Sequence, residues 1–468
     1  MLIKSLFLKN NNYLVLIIFL IFLIRSISLF FSSLELQGDE AQYWYWGTYF
    51  DWGYYSKPPL IGWMIGLFTS LFGNTAFIIK FPSLIAHFLT ATVLFKLSLL
   101  FKRNREESLF LSISYLIFFA VSLSSNIIST DPFLLLFWTL SLYFLKLSIL
   151  KNSIKYVLLT SISVALGFYA KYAMIYFFPC SIFLIILTDE RRQLIINISI
   201  ILGLVLLLIS PHVYWVYINN WLTFLHTGDN FNWGTSLFNI KQLFNFILSQ
   251  FFIATPIIFF FYLKGFIKFK KFISLYPFEI SYSLPILVLI TIQSFISRAN
   301  ANWSSVAFIG IAIIACNIMY SNYKKLLYLN IILGMIILFL VSFLIVSPPN
   351  ISPFNKLQGM RDAANEVKSL DDSLAVDYII FDDRMNIAKF LYYLPNKREK
   401  IRYLTAGNQP SNHFEMLMPI TIEDIKNKKI IMIHRYEQPW TSRNNYLLVK
   451  QLYKMPNYKN NFYISYFE

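Results

Sequence analysis

Acidic and aromatic side chains follow the first apolar run of the chain. Asp39 and Glu40 are adjacent in the stretch 37–46, which is rich in Trp and Tyr. A carboxylate beside a membrane can accept a proton from a hydroxyl group, and rings such as Tyr43 and Tyr55 can stack on a sugar. An aromatic belt with an amphipathic interfacial helix would have the same composition. The paired acids favour a catalytic site over that alternative.

Three further charged residues interrupt apolar sequence. Asp131 precedes Pro132 at the start of a long apolar run, so it is either a helix N-cap or a catalytic acid. Lys171 separates two apolar segments, where it either reaches the membrane surface or contacts a lipid phosphate. Lys57 ends the aromatic loop. Of these two lysines, Lys171 is the candidate for contacting an anionic lipid.

The remaining candidates lie in two loops. His226 and Asp229 are three residues apart, next to Asn230, and a surface loop would also explain them. Arg298 and Asn302 in another loop are typical of interfacial anchoring. The sequence contains no Walker loop, dinucleotide fingerprint, HExxH or GxSxG motif. We therefore expect no nucleotide cofactor.

The composition shows what must position these residues. Of the 468 residues, 57% are hydrophobic and 14% are charged, and the mean hydropathy is +0.56. These values exclude a soluble globular protein, a disordered chain and a disulfide scaffold. Charged residues make up roughly 10% of residues 1–347 and roughly 25% of residues 348–468. We predict a membrane domain over 1–347 and a soluble domain over 348–468.

Apolar runs of about 20 residues predict membrane-spanning helices. The two cysteines, Cys180 and Cys316, fall inside such runs, so they indicate no disulfide or metal framework. About eleven spans are predicted, near residues 13–33, 78–101, 108–124, 131–150, 154–170, 172–188, 194–211, 243–263, 278–297, 303–319 and 326–347.

The distribution of Lys and Arg predicts the orientation. The net charge of +16 comes mostly from residues that flank apolar runs, which does not suit a nucleic-acid surface. With a cytoplasmic N-terminus, the basic clusters near 102–105, 151–155, 191–192, 264–271 and 324–325 are all cytoplasmic, as the positive-inside rule requires. An odd number of spans then places residues 348–468 outside. Strand-like runs at 376–381 and 429–434 predict a small α/β domain there.

This predicted orientation also assigns each acidic residue to one side of the membrane. A carboxylate at a helix centre costs roughly 2.5–3.5 kcal/mol on insertion scales, so those that remain need a reason. Six acids are predicted to be external, which indicates a site on that face: Glu35, Asp39, Glu40, Asp51, Asp131 and Asp229.

Several short motifs, in this order, resemble the bacterial protein-mannosyltransferase-like glycosyltransferases of families 39 and 83. These integral-membrane enzymes have the GT-C fold and are related to the aminoarabinose transferases that modify lipid A. The resemblance covers about residues 13–320. It rests on Asp39-Glu40-Ala-Gln-Tyr, Tyr54-Tyr55-Ser56-Lys57-Pro58-Pro59-Leu60, Thr130-Asp131-Pro132, Ala170-Lys171-Tyr172, and Pro211-His212 followed by His226-Thr227-Gly228-Asp229-Asn230.

The resemblance implies a polyprenyl-phosphate sugar donor and inverting transfer on the periplasmic side of the bacterial inner membrane. Asp39 matches the family's essential acid, which acts as a general base or positions the acceptor. Asp131 matches a second catalytic acid, and Lys57 and Lys171 match residues that hold the donor phosphate. His226 falls where some relatives have a metal-site histidine. Aminoarabinose transferases have Glu where this chain has Ser56, which leaves a divalent metal open.

Three functions fit these expectations. The first is sugar transfer to lipid A or another envelope glycan, and the second is protein O-glycosylation of the mannosyltransferase type. The third, a flippase for lipid-linked sugars, would show inverted repeats and charges deep within several spans. We see no internal repeat, and the acids lie at the outer edge.

Overall fold

A computed structural model describes residues 11–231, 238–405, 410–434, 451–454 and 463–467. The chain forms two compact units. The helical unit comprises Met1–Phe30, Lys57–Ile61 and Lys80–Phe343. The sheet unit comprises Phe31–Ser56, Gly62–Ile79 and Leu344–Glu468, so it combines the first loop with the C-terminal segment. The division of the sequence after residue 347 stays a prediction.

The helical unit consists of apolar helices, which confirms the predicted helical membrane fold. Some of its chain reversals are short, such as the two residues between Lys151 and Ile154, and basic residues lie in or beside several of them, as Lys102 and Arg103 do between Leu100 and Arg105. Its α-helices span Asn12–Phe30, Ala76–Leu100, Arg105–Leu116, Phe119–Ser124, Thr130–Lys151, Ile154–Ala170, Phe177–Leu187, Arg191–Ile218, Leu222–Phe231, Ile240–Ile253, Pro256–Gly265, Phe269–Leu275, Pro277–Ser281, Leu284–Ile296, Ala307–Asn322 and Lys324–Val346.

Within the described residues, six helices are long and apolar enough to cross a membrane. A bent pair, Ile240–Ile253 with Pro256–Leu275, makes a seventh if it is counted as one span. Other predicted spans are helices of fewer than 18 residues, for example Ile154–Ala170 and Ala307–Asn322. The predicted count of eleven is therefore not confirmed, but the chain is a multi-pass membrane protein.

The predicted span at 108–124 is interrupted after Leu116, and a buried arginine from the first span fills the interruption. Arg25 donates to the Leu116 carbonyl oxygen and to the hydroxyl groups of Ser122, at 2.9 Å, and Ser125, at 3.2 Å. The last carbonyls of a helix have no intrahelical donor, so they need another partner inside an apolar protein. Arg25 supplies one, which accounts for a cation within an apolar helix.

The sheet unit contains a six-stranded mixed sheet, in agreement with the predicted C-terminal α/β fold. Its strands are β1 (Tyr378–Phe381), β2 (Ile401–Leu404), β3 (Pro419–Ile420), β4 (Ile430–His434), β5 (Gln451–Lys454) and β6 (Tyr463–Phe467). Their order is β3-β2-β1-β4-β6-β5, with β1 to β4 parallel and β6 antiparallel to both β4 and β5. Ile380, Ile430 and Met432 are central to the core on this sheet. The helices of the unit span Gly38–Trp46, Met360–Leu374, Arg384–Tyr393 and His413–Leu417, and the helix Leu60–Phe72 belongs to it from Gly62 onward.

Candidate functional site

An ion pair in the helical unit joins two of the candidate residues. Lys171 Nζ donates to Asp131 Oδ1 at 2.7 Å, and the Asn302 side-chain amide donates to Asp131 Oδ2 at 2.8 Å. Both oxygens of this carboxylate are thus engaged. The side chains of Lys171 and Asp131 are only 18% and 17% exposed, so the pair is partly shielded from water. We call these three residues the Asp131 cluster.

Three helix ends position the Asp131 cluster. Asp131 lies in the first turn of Thr130–Lys151, where a negative charge is favourable. The N-cap of that helix is Ser129, so Asp131 is not the N-cap residue. Lys171 directly follows the end of the next helix, Ile154–Ala170, and its backbone is extended. A two-residue turn connects that helix to Thr130–Lys151. Asn302 lies in the 3₁₀ turn Ala301–Ser304.

The Asp131 cluster can hold an ammonium group in a fixed position. A lysine ammonium has three donors, of which the bond to Asp131 uses one. A carboxylate held by two donors loses rotational freedom, and it orients the ammonium in turn. Such a fixed cation suits a phosphate, because a preorganised charge needs little rearrangement when negative charge develops.

His226 lies on the helix Leu222–Phe231 of the helical unit and is half-buried. The side chains of Asp229 and Asn230, on the same helix, lie outside the described residues. Nearby in sequence, His212 is buried, and its Nε2 shares a 2.8 Å hydrogen bond with the Tyr172 hydroxyl. Tyr172 follows Lys171 directly, so this bond fixes the backbone next to the ammonium-bearing residue.

Lys57 belongs to the helical unit and is half-buried. It is followed by Pro58 and Pro59, both buried, and the helix Leu60–Phe72 begins after them. Proline fixes its own φ and restricts the preceding residue to extended conformations. The sequence therefore holds the Lys57 backbone in place locally.

A second ion pair lies in the sheet unit. Arg384 Nη1 donates to Asp39 Oδ1 at 3.1 Å and to Gln42 Oε1 at 2.9 Å. Asp39 and Gln42 are three residues apart on the helix Gly38–Trp46, so they share one face of it. The Asp39 side chain is 51% exposed and that of Arg384 41%. Asp39 is therefore accessible from water as well as paired.

The other candidates of the aromatic loop make structural contacts. Glu40 is buried, and its Oε2 accepts from the Gln37 backbone N–H at 2.8 Å, as in a capping box. Tyr43 packs against Trp46 with ring centroids 5.1 Å apart. The Tyr55 hydroxyl donates to the Pro410 carbonyl oxygen at 3.3 Å. These contacts hold the loop that carries Asp39.

An aromatic cluster around His413 holds the same loop within the sheet unit. The Tyr49 hydroxyl and His413 Nε2 share a hydrogen bond of 2.5 Å, and their rings stack. Burial lowers the pKa of His413 to about 3, so the imidazole is neutral. Burial also raises the pKa of Tyr49, which keeps its hydroxyl protonated and able to donate to the imidazole. Trp46 stacks on Tyr54 at 4.7 Å and completes the cluster.

Sequence reasoning gave no role to Arg384 or His413, and it assigned Asn302 to membrane anchoring. Asn302 and Asp131 are 171 positions apart, and Arg384 and Asp39 are 345 apart. No local spacing pattern reports contacts over such distances. The one local signal is Asp383, which caps the helix that begins at Arg384.

No group of three or more His, Cys, Asp or Glu side chains that could hold a metal ion occurs within the part of the chain that the structure describes. The described residues around His226 thus do not form a recognisable metal site, and we derive no catalytic step through a metal.

Comparisons with known proteins bear on the chemistry of this chain. Residues 56–215 match the family model of dolichyl-phosphate-mannose-protein mannosyltransferases. That segment includes Lys57, Asp131 and Lys171. The lipid A galacturonosyltransferase RgtD of Rhizobium johnstonii is 28% identical over 400 residues, which cover 84% of each protein.

Solved structures share the fold over almost the whole chain. ArnT from Cupriavidus metallidurans in the apo state aligns with a TM-score of 0.69, covering 97% of this chain and 98% of ArnT, at 12% identity. ArnT bound to undecaprenyl phosphate aligns with a TM-score of 0.71, covering 98% of both chains, also at 12% identity. The resemblance deduced from the motifs is confirmed: the chain is a membrane glycosyltransferase of the GT-C type, similar to the aminoarabinose transferases.

Proposed function

We propose that this enzyme transfers a sugar from a polyprenyl-phosphate donor to lipid A on the periplasmic face of the bacterial inner membrane. The observation that carries the proposal is the similarity to a lipid A galacturonosyltransferase over 84% of the chain. The ArnT structure that holds undecaprenyl phosphate has the same fold and supports a lipid-phosphate donor. Galacturonic acid is the sugar to test first.

Lys57 and Lys171 bind the donor phosphate in this proposal. When the bond between the anomeric carbon and the phosphate oxygen breaks, its electron pair stays on the phosphate, whose negative charge grows. A preorganised ammonium stabilises that charge more in the transition state than in the ground state. The 2.7 Å ion pair with Asp131 supports this role for Lys171, because it aims the ammonium before the donor arrives. Asp131 then acts as a positioning residue, with Asn302 supporting it.

Asp39 serves the acceptor. Inversion requires the acceptor oxygen to attack the anomeric carbon on the face opposite the leaving phosphate. If that oxygen belongs to a hydroxyl group, a carboxylate takes its proton, which typically contributes about 10²- to 10⁴-fold. If it belongs to a lipid A phosphate, the nucleophile is already an anion and Asp39 orients it. The accessibility of the Asp39 side chain suits either role.

The proposed orientation has a cytoplasmic N-terminus and a periplasmic C-terminal segment. The bias of Lys and Arg supports it, because clusters such as 264–271 and 324–325 fall on one side of the predicted topology. A reporter fused after Glu468 that is active only in the periplasm is the expected result. Activity only in the cytoplasm would overturn the orientation.

Protein O-mannosylation is a second candidate, favoured by the family match over residues 56–215. The two candidates differ in the acceptor. Mass spectrometry of lipid A and of envelope proteins, from cells with and without the gene, separates them. We expect a sugar increment on lipid A only when the gene is present. An unchanged lipid A together with a lost protein glycan would replace the proposal by the alternative.

A further inference from the structure

We propose that Arg384 is a positioning residue that holds the Asp39 carboxylate for the transfer step. The inference rests on the role of Asp39 in the proposed function and extends the active machinery to the C-terminal segment. Arg384 Nη1 bridges Asp39 Oδ1, at 3.1 Å, and Gln42 Oε1, at 2.9 Å. Two acceptors from one helix face fix the guanidinium plane, and the guanidinium limits rotation of the carboxylate.

The backbone next to this ion pair is fixed by a contact that only glycine permits. A Cβ atom added at Gly38 would lie 2.7 Å from Met385 Cβ and 2.9 Å from Met385 Cγ, which is closer than real Cβ contacts. Gly38 precedes Asp39, and Met385 follows Arg384. The starts of the two helices therefore touch at the residues adjacent to the pair, so their separation is set by the close packing of Gly38 against the Met385 side chain.

The same two helices are also joined further along. The Tyr392 hydroxyl donates to the Asn74 carbonyl oxygen at 2.8 Å, and Trp44 Nε1 donates to Asn74 Oδ1 at 2.9 Å. The rings of Trp44 and Tyr392 meet edge to face, with centroids 4.9 Å apart. At the start of its helix, Asp383 accepts from the Met385 and Asn386 backbone N–H groups. Contacts at both ends leave the helix that carries Arg384 little freedom to shift.

The exposure of the pair argues that its main value is positional. An ion pair this exposed contributes little to stability in measured cases. A misplacement of about 1 Å at a catalytic group, by contrast, can cost about 10²-fold in rate. Arg384 therefore acts through Asp39 and not through the fold.

The first test replaces Arg384. In purified full-length enzyme with polyprenyl-phosphate-galacturonic acid and lipid A, we expect Arg384→Gln to lower kcat about 10- to 100-fold with the donor KM unchanged. Arg384→Lys should retain more activity than Arg384→Gln, because it keeps the charge. Added guanidinium should partly restore kcat of Arg384→Gly, whereas equimolar sodium should not.

The second test moves the backbone and leaves both charged groups in place. Gly38→Ala should lower kcat as Arg384→Gln does. Met385→Gly in the Gly38→Ala protein should recover activity, because it removes the conflicting Cβ; Met385→Ala retains that atom and should not. Gly203→Ala is the matched control, since its added Cβ meets no atom within 4 Å.

The outcomes separate this inference from the proposed function. If Asp39→Asn is inactive while Arg384→Gln keeps wild-type kcat, the positioning role is wrong and the function stands. If Arg384→Gln raises only the KM for lipid A, Arg384 binds the acceptor and positioning is again wrong. If Asp39→Asn itself keeps wild-type transfer, the proposed role of Asp39 fails first. Thermal unfolding of each variant shows whether a loss of kcat reflects a loss of folding. Gly38→Ala, alone and with Met385→Gly, tests the positioning role without changing Arg384 or Asp39.

Discussion

Replacing Lys171 by methionine removes the cation of the Asp131 cluster and keeps a side chain of similar length. The change breaks the 2.7 Å bond to Asp131 and leaves the Asn302 amide as the remaining donor of the cluster. The carboxylate then stays negative beside the proposed phosphate, where it repels the donor. Expressed as free energies, the loss of transition-state stabilisation should therefore exceed the loss in the free energy of unfolding.

The structure sets the two magnitudes. Exposures of 18% and 17% place the ion pair between surface pairs and fully buried ones. A hydrogen bond to a charged group contributes about 1.5–3 kcal/mol to the free energy of unfolding, which is the loss we expect. Removing one preorganised donor from a developing oxyanion costs about 10²- to 10³-fold in kcat. Asp131→Asn keeps the ammonium and one acceptor oxygen but replaces the ion pair by a weaker neutral acceptor, so its loss of kcat should be smaller than that of Lys171→Met.

The assay measures release of polyprenyl phosphate and sugar transfer to lipid A by the purified variants at saturating donor. Lys241→Met is the matched control, because Lys241 is exposed and lies between the predicted spans 194–211 and 243–263, whose connection the predicted orientation places outside. Thermal unfolding in the same detergent corrects for stability. A kcat for Lys171→Met within about threefold of wild type would refute the phosphate role, since threefold is far below the effect of one such donor.

Other variants test the remaining contacts. Asn302→Ala removes one donor to Asp131 while Lys171 stays bound. We expect kcat to fall about tenfold, which corresponds to one hydrogen bond to a charged group. An unchanged kcat would contradict the proposed role of Asn302 in positioning Asp131. The Glu40→Gln side chain can still accept from the Gln37 N–H, so this variant should keep its activity. Glu40→Ala loses that acceptor and should lower the free energy of unfolding by about 1 kcal/mol. A Glu40→Gln protein that is stable but inactive would instead indicate that Glu40 is a catalytic carboxylate. His413 has its pKa lowered by burial from 6.5 to about 3, so the unfolded chain takes up the proton first as the pH falls. Its contribution to stability is complete above about pH 6.5 and is lost toward pH 3; the thermal unfolding temperature should fall over this window, and His413→Gln should flatten that dependence.

Sequence patterns predicted the features that depend on local periodicity. Long apolar runs marked helices such as Asn12–Phe30 and Thr130–Lys151 close to their observed bounds, because an apolar helix needs no partner to be recognised. The break after Leu116 was not predicted. The carbonyl that it frees is satisfied by Arg25, which lies some 90 positions away in sequence. Hydropathy alone cannot distinguish a broken helix from a continuous one.

The candidate site residues likewise divide into those that the local sequence identifies and those that only the fold brings into contact. Asp39, Asp131 and Lys171 were identifiable because charges are rare in apolar sequence and therefore conspicuous. Their partners Asn302 and Arg384 were not, because Asn302 has an ordinary interfacial composition around it and Arg384 lies in a segment rich in charges. The sheet unit likewise combines Phe31–Ser56 with Leu344–Glu468, a pairing that no spacing rule indicates.

The central claim is transfer of a sugar from a polyprenyl phosphate to lipid A. Its most direct test is reconstitution of the purified full chain with polyprenyl-phosphate-galacturonic acid and lipid A, followed by mass spectrometry of both lipids. We predict lipid A with one added hexuronic acid and an equal amount of free polyprenyl phosphate, with neither product from Asp39→Asn. Unmodified lipid A in the presence of active, folded enzyme that glycosylates a protein acceptor from a polyprenyl-phosphate donor would contradict the claim.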